Sequence, residues 1–251
     1  MQKLILLIIV TITAIFVKGQ SSSKSSENLE TKTISLENFD KINSEMVFNV
    51  EIRKSNEEKA VITSNYLSFV EINVKNNTLK ISYKKNQSLE NVDTRIVIYA
   101  KDVKSVNAGV GSVVKIKDQF DIQKFSTESG GKIFGDSNAK NIVINTESGG
   151  SVLGTMNTEN LLLNAQSGSS INIQGKIETA KITSEGASKI IATKTNISVA
   201  TVNAESASSV SLSVSKELTA SASSMAKIRY KTLSGIKFSG DRDSGGTIDS
   251  I

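Results

Sequence analysis

The sequence predicts an all-β protein. Its body should be a parallel β-helix, a single-stranded β-solenoid of about 19 residues per coil, preceded by an antiparallel β-meander. Three observations carry this. The word Thr-Glu-Ser-Gly-Gly begins at Thr127 and again at Thr146, with an apolar residue close on either side of each copy. An aliphatic anchor then recurs at Val114, Ile133, Val152, Ile171, Ile190, Val210, Ile228 and Ile248, in steps of 19, 19, 19, 19, 20, 18 and 20. Finally, 251 residues contain no proline, as expected where backbone N–H groups are wanted for extended ladders.

The first segment, residues 1–19, reads as a signal peptide. A short basic start is followed by the apolar run Leu4–Val17, and a small residue, Gly19, precedes Gln20. The run is shorter than the roughly 20 apolar residues of a spanning helix. Cleavage leaves no transmembrane segment, and the expected location is the periplasm, the outer-membrane surface or the medium around a Gram-negative envelope. Residues 20–30, SSSKSSENLE after Gln20, form a flexible Ser-rich leader. Cysteine is absent, so neither disulfides nor a lipidated cysteine can support or tether the fold.

Residues 31–103 lack the repeat but carry strand signals: TKTISL, MVFNVEI, AVITS, FVEINV, TLKISY and TRIVIYA. Asn76-Asn77 separates two of these in the manner of a hairpin. This region is expected to cap the first coil, where an open sheet edge would invite aggregation.

Residues 104–251 are the solenoid. Eight positions before each anchor stand Val106, Phe125, Ile144, Leu163, Ile182, Val202 and Ala220. Two before those come Ile142, Leu161, Ala180, Ala200 and Leu218. Such alternation means half-buried strands. Parallel stacking would place equivalent residues about 4.8 Å apart in columns, around two principal sheets, with right-handed crossover as the default. Small residues, such as Ser129-Gly130-Gly131 and Ser148-Gly149-Gly150, mark a tight corner between the two runs of each coil.

A second column runs through the corners: Glu128, Glu147, Gln166, Glu185, Glu205 and, in the last unit, Asp243. Neighbouring carboxylates about 5 Å apart repel by somewhat under 1 kcal/mol in water. Solvent, Gln166 and lysines such as Lys132 and Lys189 are the expected relief. The functional alternative is a line of oxygen ligands for calcium or sugar hydroxyls, although a straight ladder converges poorly on one ion. No cofactor is expected.

The succession FDKINSEMVFNVEI, FVEINVKNNTLKISY and TRIVIYAKDVKSVNAGVGSVVKI, followed by Ser/Gly-cornered coils, resembles the head GIN domain family of putative autotransporter adhesins. The resemblance covers roughly Thr31 to the C-terminus and implies an exported envelope protein with a β-solenoid fold. Two features depart from that family's pattern: Ala100-Lys101 stands where proline is common, and corner glycines become Ala187, Ala207 and Met225. The second change suggests looser corners towards the C-terminus.

Function is expected to be non-catalytic. Neither histidine nor cysteine is present, which removes the commonest bases and nucleophile pairs. The coils carry few arginines, long loops that would build a cleft are not evident, and Phe134 and Tyr230 are thin aromatic platforms. An adhesin-like or polymer-binding module ranks above an envelope scaffold, and both rank above a polysaccharide-degrading enzyme. Partners would be an extracellular or envelope polysaccharide or protein, or a second copy. Loss of Lys3 and Lys18 with the signal leaves 28 basic against 25 acidic residues, and a charge of +3 with mixed signs gives no nucleic-acid footprint.

Overall fold

The computed structural model describes residues 22–23 (backbone), 29–86, 88–232 and 235–251. The expected signal peptide and most of the leader lie outside the described residues. What is described consists of strands, with one short 3-10 turn at Leu67–Phe69. No helix among the described residues is long and apolar enough to cross a membrane.

Each coil contributes one strand to each of two parallel columns, with a corner between them. In the second column the anchor residues pair in unbroken register from Val114 to Ile133, Val152, Ile171, Ile190, Val210, Ile228 and Ile248. All are buried. In the first column Val106, Phe125, Ile144, Leu163, Ile182, Val202 and Ala220 do the same. The aliphatic columns expected from spacing alone are therefore the core. Each Val, Ile, Leu or Phe side chain in them removes an apolar surface worth about 1.5–3 kcal/mol from water, and no disulfide is needed.

Parallel stacking also reaches further towards the N-terminus than the repeat does. Strand Lys41–Ser44 pairs parallel with Ser105–Ala108 on one side and Thr78–Ile81 on the other. Strand Asn49–Lys54 likewise lies between Val113–Ile116 and Arg95–Ala100. The chain thus makes the coil 41–54, then an outer coil from 78 to 100, and steps back over the first to continue at 105. Antiparallel pairing is confined to the strands that close this end. Val70–Lys75 joins Thr78–Tyr83 through Asn76 and Asn77, both at positive φ, while Lys59–Ser64 lies between Glu30–Ser35 and Thr94–Tyr99. The N-terminal region is a mixed sheet, in which the expected hairpin is present and two parallel coils are added. The reason is geometric: a strand pairs with its spatial neighbour, and here the neighbours are not spaced by the repeat.

The corners share one conformation. Two consecutive residues hold positive φ: Ser129 and Gly130, Ser148 and Gly149, Ser167 and Gly168, Gly186 and Ala187, Ser206 and Ala207, Ser224 and Met225. The amide two residues after the first of these donates back to the carbonyl before it, as in Gly131 N to Glu128 O at 2.9 Å and Ala226 N to Ser223 O at 3.0 Å. Corner amides also donate to the next coil, from Gly130 N to Ser148 O through to Met225 N to Ser244 O, so the ladder continues around the bend. Ala187, Ala207 and Met225 keep this geometry. The expected loosening does not occur, because the inter-coil bonds hold each corner in the left-handed region whatever its side chain.

Beneath the corners lies a buried hydroxyl column. Ser188 donates to the Ala165 carbonyl at 3.0 Å and sits 2.7 Å from Ser184 Oγ, and Ser208 donates to the Ser184 carbonyl at 2.8 Å. Replacing Ser188 by alanine is expected to cost about 1–2 kcal/mol in urea unfolding, since Ser184 loses a buried partner.

The steps of 20 and 18 have a local cause. The register is 19 residues up to the pair Asn172–Ile191 and 20 from Gln174–Lys194 onward, so one extra residue enters at Ala192–Thr193. Between Ala192–Leu212 and Val199–Glu217 the offset falls from 20 to 18, so the next coil drops two residues relative to this one and is one short of 19. A bulge of this kind re-aims the side chains around it.

Candidate functional site

The corner column is a real ladder, with a different extent from that expected. Register places Glu128, Glu147, Gln166, Glu185 and Glu205 side by side in successive coils. Asp243 is separated from Glu205 by Ser223, so it does not continue the line. At the other end Gly109 interrupts, and beyond it stands Glu45, in the corner of the coil 41–54. No periodic search could find Glu45, because the chain detours through the outer coil between residues 45 and 109.

The relief of repulsion also differs. Among the described residues, neither Lys132 nor Lys189 forms an ion pair. Asparagines two positions back do the work instead: Asn43 Nδ2 donates to Glu45 Oε1 at 3.0 Å, and Asn203 Nδ2 to Glu205 Oε1 at 2.9 Å. The asparagines themselves ladder across coils, Asn107 to Asn43 and Asn164 to Asn145, each at 2.9 Å. Glu45 further pairs with Lys80 at 2.9 Å, and Glu128 leans back over Gly109. No group of three acidic side chains among the described residues is arranged to hold a metal ion.

Of the two aromatic platforms, Phe134 lies on the outer surface. Tyr230 packs partly buried on the core and stacks on the exposed Phe238 at 5.2 Å.

A run of concave surface lies elsewhere, on the side of several coils away from the corner. Three shallow grooves of about 340, 330 and 290 Å³ follow one another there. The first is lined by Asp136, Thr155, Asn172, Gln174 and Lys194, and the second by Asn157, Thr158, Lys176, Glu178, Asn196 and Ser198. The third takes in Thr193–Asn196, Ser213, Ser215 and Lys231. Lys194 is shared by the first and third and Asn196 by the second and third, so the grooves form one trough crossing several coils.

Its polar groups are fixed by inter-coil bonds. Gln174 Nε2 donates to Thr155 Oγ1 at 3.2 Å, Asn157 Nδ2 to Asn138 Oδ1 at 2.9 Å, and the Lys176 amide to Asn157 Oδ1 at 3.0 Å. Lys176, Lys194 and Lys231 have no ion-pair partner among the described residues. The two carboxylates are engaged: Asp136 Oδ1 accepts the Thr155 amide, and Glu178 accepts from Ser198 and Lys216. The Ser198 hydroxyl, and after it Lys216, hold the Glu178 carboxyl below its ordinary pKa. It is an ionised acceptor at neutral pH.

Sequence reading missed the trough because the signal is a single 20-residue step. It also missed an enlarged corner. In the outer coil the strands ending at Tyr83 and starting at Thr94 are joined by the stretch 84–93, where the other coils use four residues. This is a long loop of the kind expected to be absent.

The comparisons agree with this architecture. No curated protein matches the chain. A crystal structure of a putative adhesin from Parabacteroides merdae superposes with a TM-score of 0.82 at 18% identity, covering 92% of this chain and 99% of that one. A putative lipid binding protein from Parabacteroides distasonis gives 0.80 at 18% identity, covering 92% and 100%. A putative adhesin from Bacteroides fragilis gives 0.69 at 19%, covering 90% and 99%. At such identities these likenesses establish the fold. The family model described as "Putative auto-transporter adhesin, head GIN domain" matches residues 38–232, from the inner coil of the cap through nearly all the solenoid, and the chain belongs to that family.

Proposed function

We propose that this chain is exported and acts without catalysis, as an adhesin-like rod of the cell envelope that holds a long anionic polymer in its trough. The observation that carries the reading is the continuity of the three grooves across coils, with Lys176, Lys194 and Lys231 unpaired along them. Each contact is weak in water. A polymer engaging several at once gains by avidity, because every contact after the first is intramolecular. The apolar run Leu4–Val17 supports export, and membership of an adhesin family supports a binding role. Catalysis is disfavoured by the trough's own chemistry: both carboxylates are engaged, Glu178 by Ser198 and Lys216 and Asp136 by the Thr155 amide. The carboxylate corner column, on another part of the coil, gives an anionic polymer no purchase there.

Retention of the mature chain on immobilised alginate or polygalacturonate, against neutral dextran, tests this. Binding is expected on the uronate polymers only, weakening as salt rises. The triple variant Lys176→Glu, Lys194→Glu, Lys231→Glu should bind at least tenfold more weakly, whereas Glu147→Gln with Glu185→Gln should bind as before. Equal retention on dextran, or an unaffected triple variant, would discard the reading. Flat signals throughout would leave the scaffold role in its place.

A further inference from the structure

We propose that a second site, independent of the trough, lies under the enlarged corner 84–93 and takes a long-chain carboxylate. The groove there is about 660 Å³, roughly twice any of the trough's three. That falls within the usual size range of small-molecule sites. It opens because the stacked corners do not match. The corner of the coil 41–54 departs from the others, with one positive-φ residue, Met46, and a Phe48 N to Met46 O bond of 3.0 Å in place of the usual closure. The chain is pushed outward, and Met46 and Val47 stand 43% and 64% exposed below the larger loop.

Val110 and Met225 are likewise exposed at their corners, at 51% and 74%, but among the described corners this is the one in which two large apolar residues adjoin. Across the groove, Leu89 and Val92 supply the facing apolar wall. Tyr83 lies between the two sides, and its ring is fixed by stacking on Phe48 at 4.4 Å and by donating its hydroxyl to Thr94 Oγ1 at 2.7 Å. The result is a groove in which Met46, Val47, Tyr83, Leu89 and Val92 form an apolar strip among polar and charged side chains. The adjoining sheet edge is not what remains open, because backbone Ser22–Ser23 already pairs with Ser88–Leu89.

Charge selects the headgroup. Lys80 is committed to Glu45, whereas Lys84 and Lys85 are exposed and have no ion-pair partner among the described residues. Glu71 also lines the groove, on the strand paired with Thr78–Tyr83. The carboxylate is therefore placed at the Lys84–Lys85 end, with the alkyl chain lying along Met46, Val47, Leu89 and Val92. A neutral or cationic amphiphile gains nothing from those two lysines, and a bare anion leaves the slot unfilled.

The test titrates the mature chain with a dansylated undecanoate and displaces it with unlabelled C12, C14 and C16 carboxylates and with hexadecanol. Saturable binding is expected, tightening by roughly twofold to fourfold per added methylene as apolar surface is covered. Hexadecanol should compete at least tenfold more weakly than palmitate. Lys84→Glu with Lys85→Glu should weaken binding at least tenfold, Lys84→Gln with Lys85→Gln by less, and Val47→Asp should reduce it without the charge change at the lysines. The trough triple variant should bind the probe as wild type, which separates this site from the polymer reading. Non-saturable uptake, equal competition by alcohol and acid, or an unaffected double reversal would overturn the assignment. So would binding to phosphatidylglycerol vesicles without displacement of the probe by free carboxylates.

Discussion

Ile171→Ala is expected to lower the free energy of unfolding by about 3–4 kcal/mol, measured by urea denaturation of the mature chain. Ile171 is fully buried in the middle of the anchor column, with Val152 and Ile190 directly above and below it. Backbone ladders fix the coils about 4.8 Å apart, so neighbours cannot close over the missing atoms and a void remains. The same change at Ile248 should cost less than half as much. That residue is also buried, but it pairs on one side, with Ile228, in the last described coil, where the structure can relax. Equal losses at the two positions would contradict a stack in which each coil depends on its neighbours.

The second large effect is steric. Gly131 follows the first Thr-Glu-Ser-Gly turn, and a Cβ built there would lie 1.9 Å from the carbonyl oxygen of Ala108 in the coil before. That oxygen already accepts the Glu128 amide at 3.2 Å, so it cannot move away without breaking the ladder. Gly131→Ala is expected to destabilise by about 3 kcal/mol. Gly130, its neighbour, faces open space at a φ of 77°, so Gly130→Ala meets no atom and costs about 1 kcal/mol of backbone strain. Thermal unfolding of the two variants side by side checks the contrast. If Gly130→Ala were the more damaging, positive φ and not coil-to-coil contact would be the reason for glycine in these corners.

Legibility in the sequence followed periodicity. The anchor column from Val114 to Ile248, its partner column and the corner ladder from Glu128 to Glu205 were readable because one fixed separation maps directly onto one spatial step. Where chain order and spatial order part company, that map fails. Glu45 belongs to the corner column and Val50 to the anchor column, yet both are separated from their counterparts by 64 residues, which include the closing strands and the outer coil. The parallel pairing of Lys41–Ser44 and Asn49–Lys54 was hidden for the same reason. The enlarged corner 84–93 gave no warning either, since a polar stretch between two strands looks alike whether it ends a hairpin or bends a coil. For the trough, the 20-residue step was visible, but a step count does not say on which side of the coil the extra residue will fall. The Asn-to-Glu bonds that ease the carboxylate ladder were open to inspection in the words Asn43-x-Glu45 and Asn203-x-Glu205, because alternate residues of a strand share a face.

The doubling-back of residues 41–116 has a kinetic meaning. Once residues up to 100 have collapsed, the coil 41–54 is covered on its outer flank and presents a single bare template on the other. The coil that starts at 105 adds there, and each later coil adds on the one before it. Assembly is therefore expected to run from a sealed nucleus towards a growing tip, where whole turns can be gained or lost without any rebuilding of the origin.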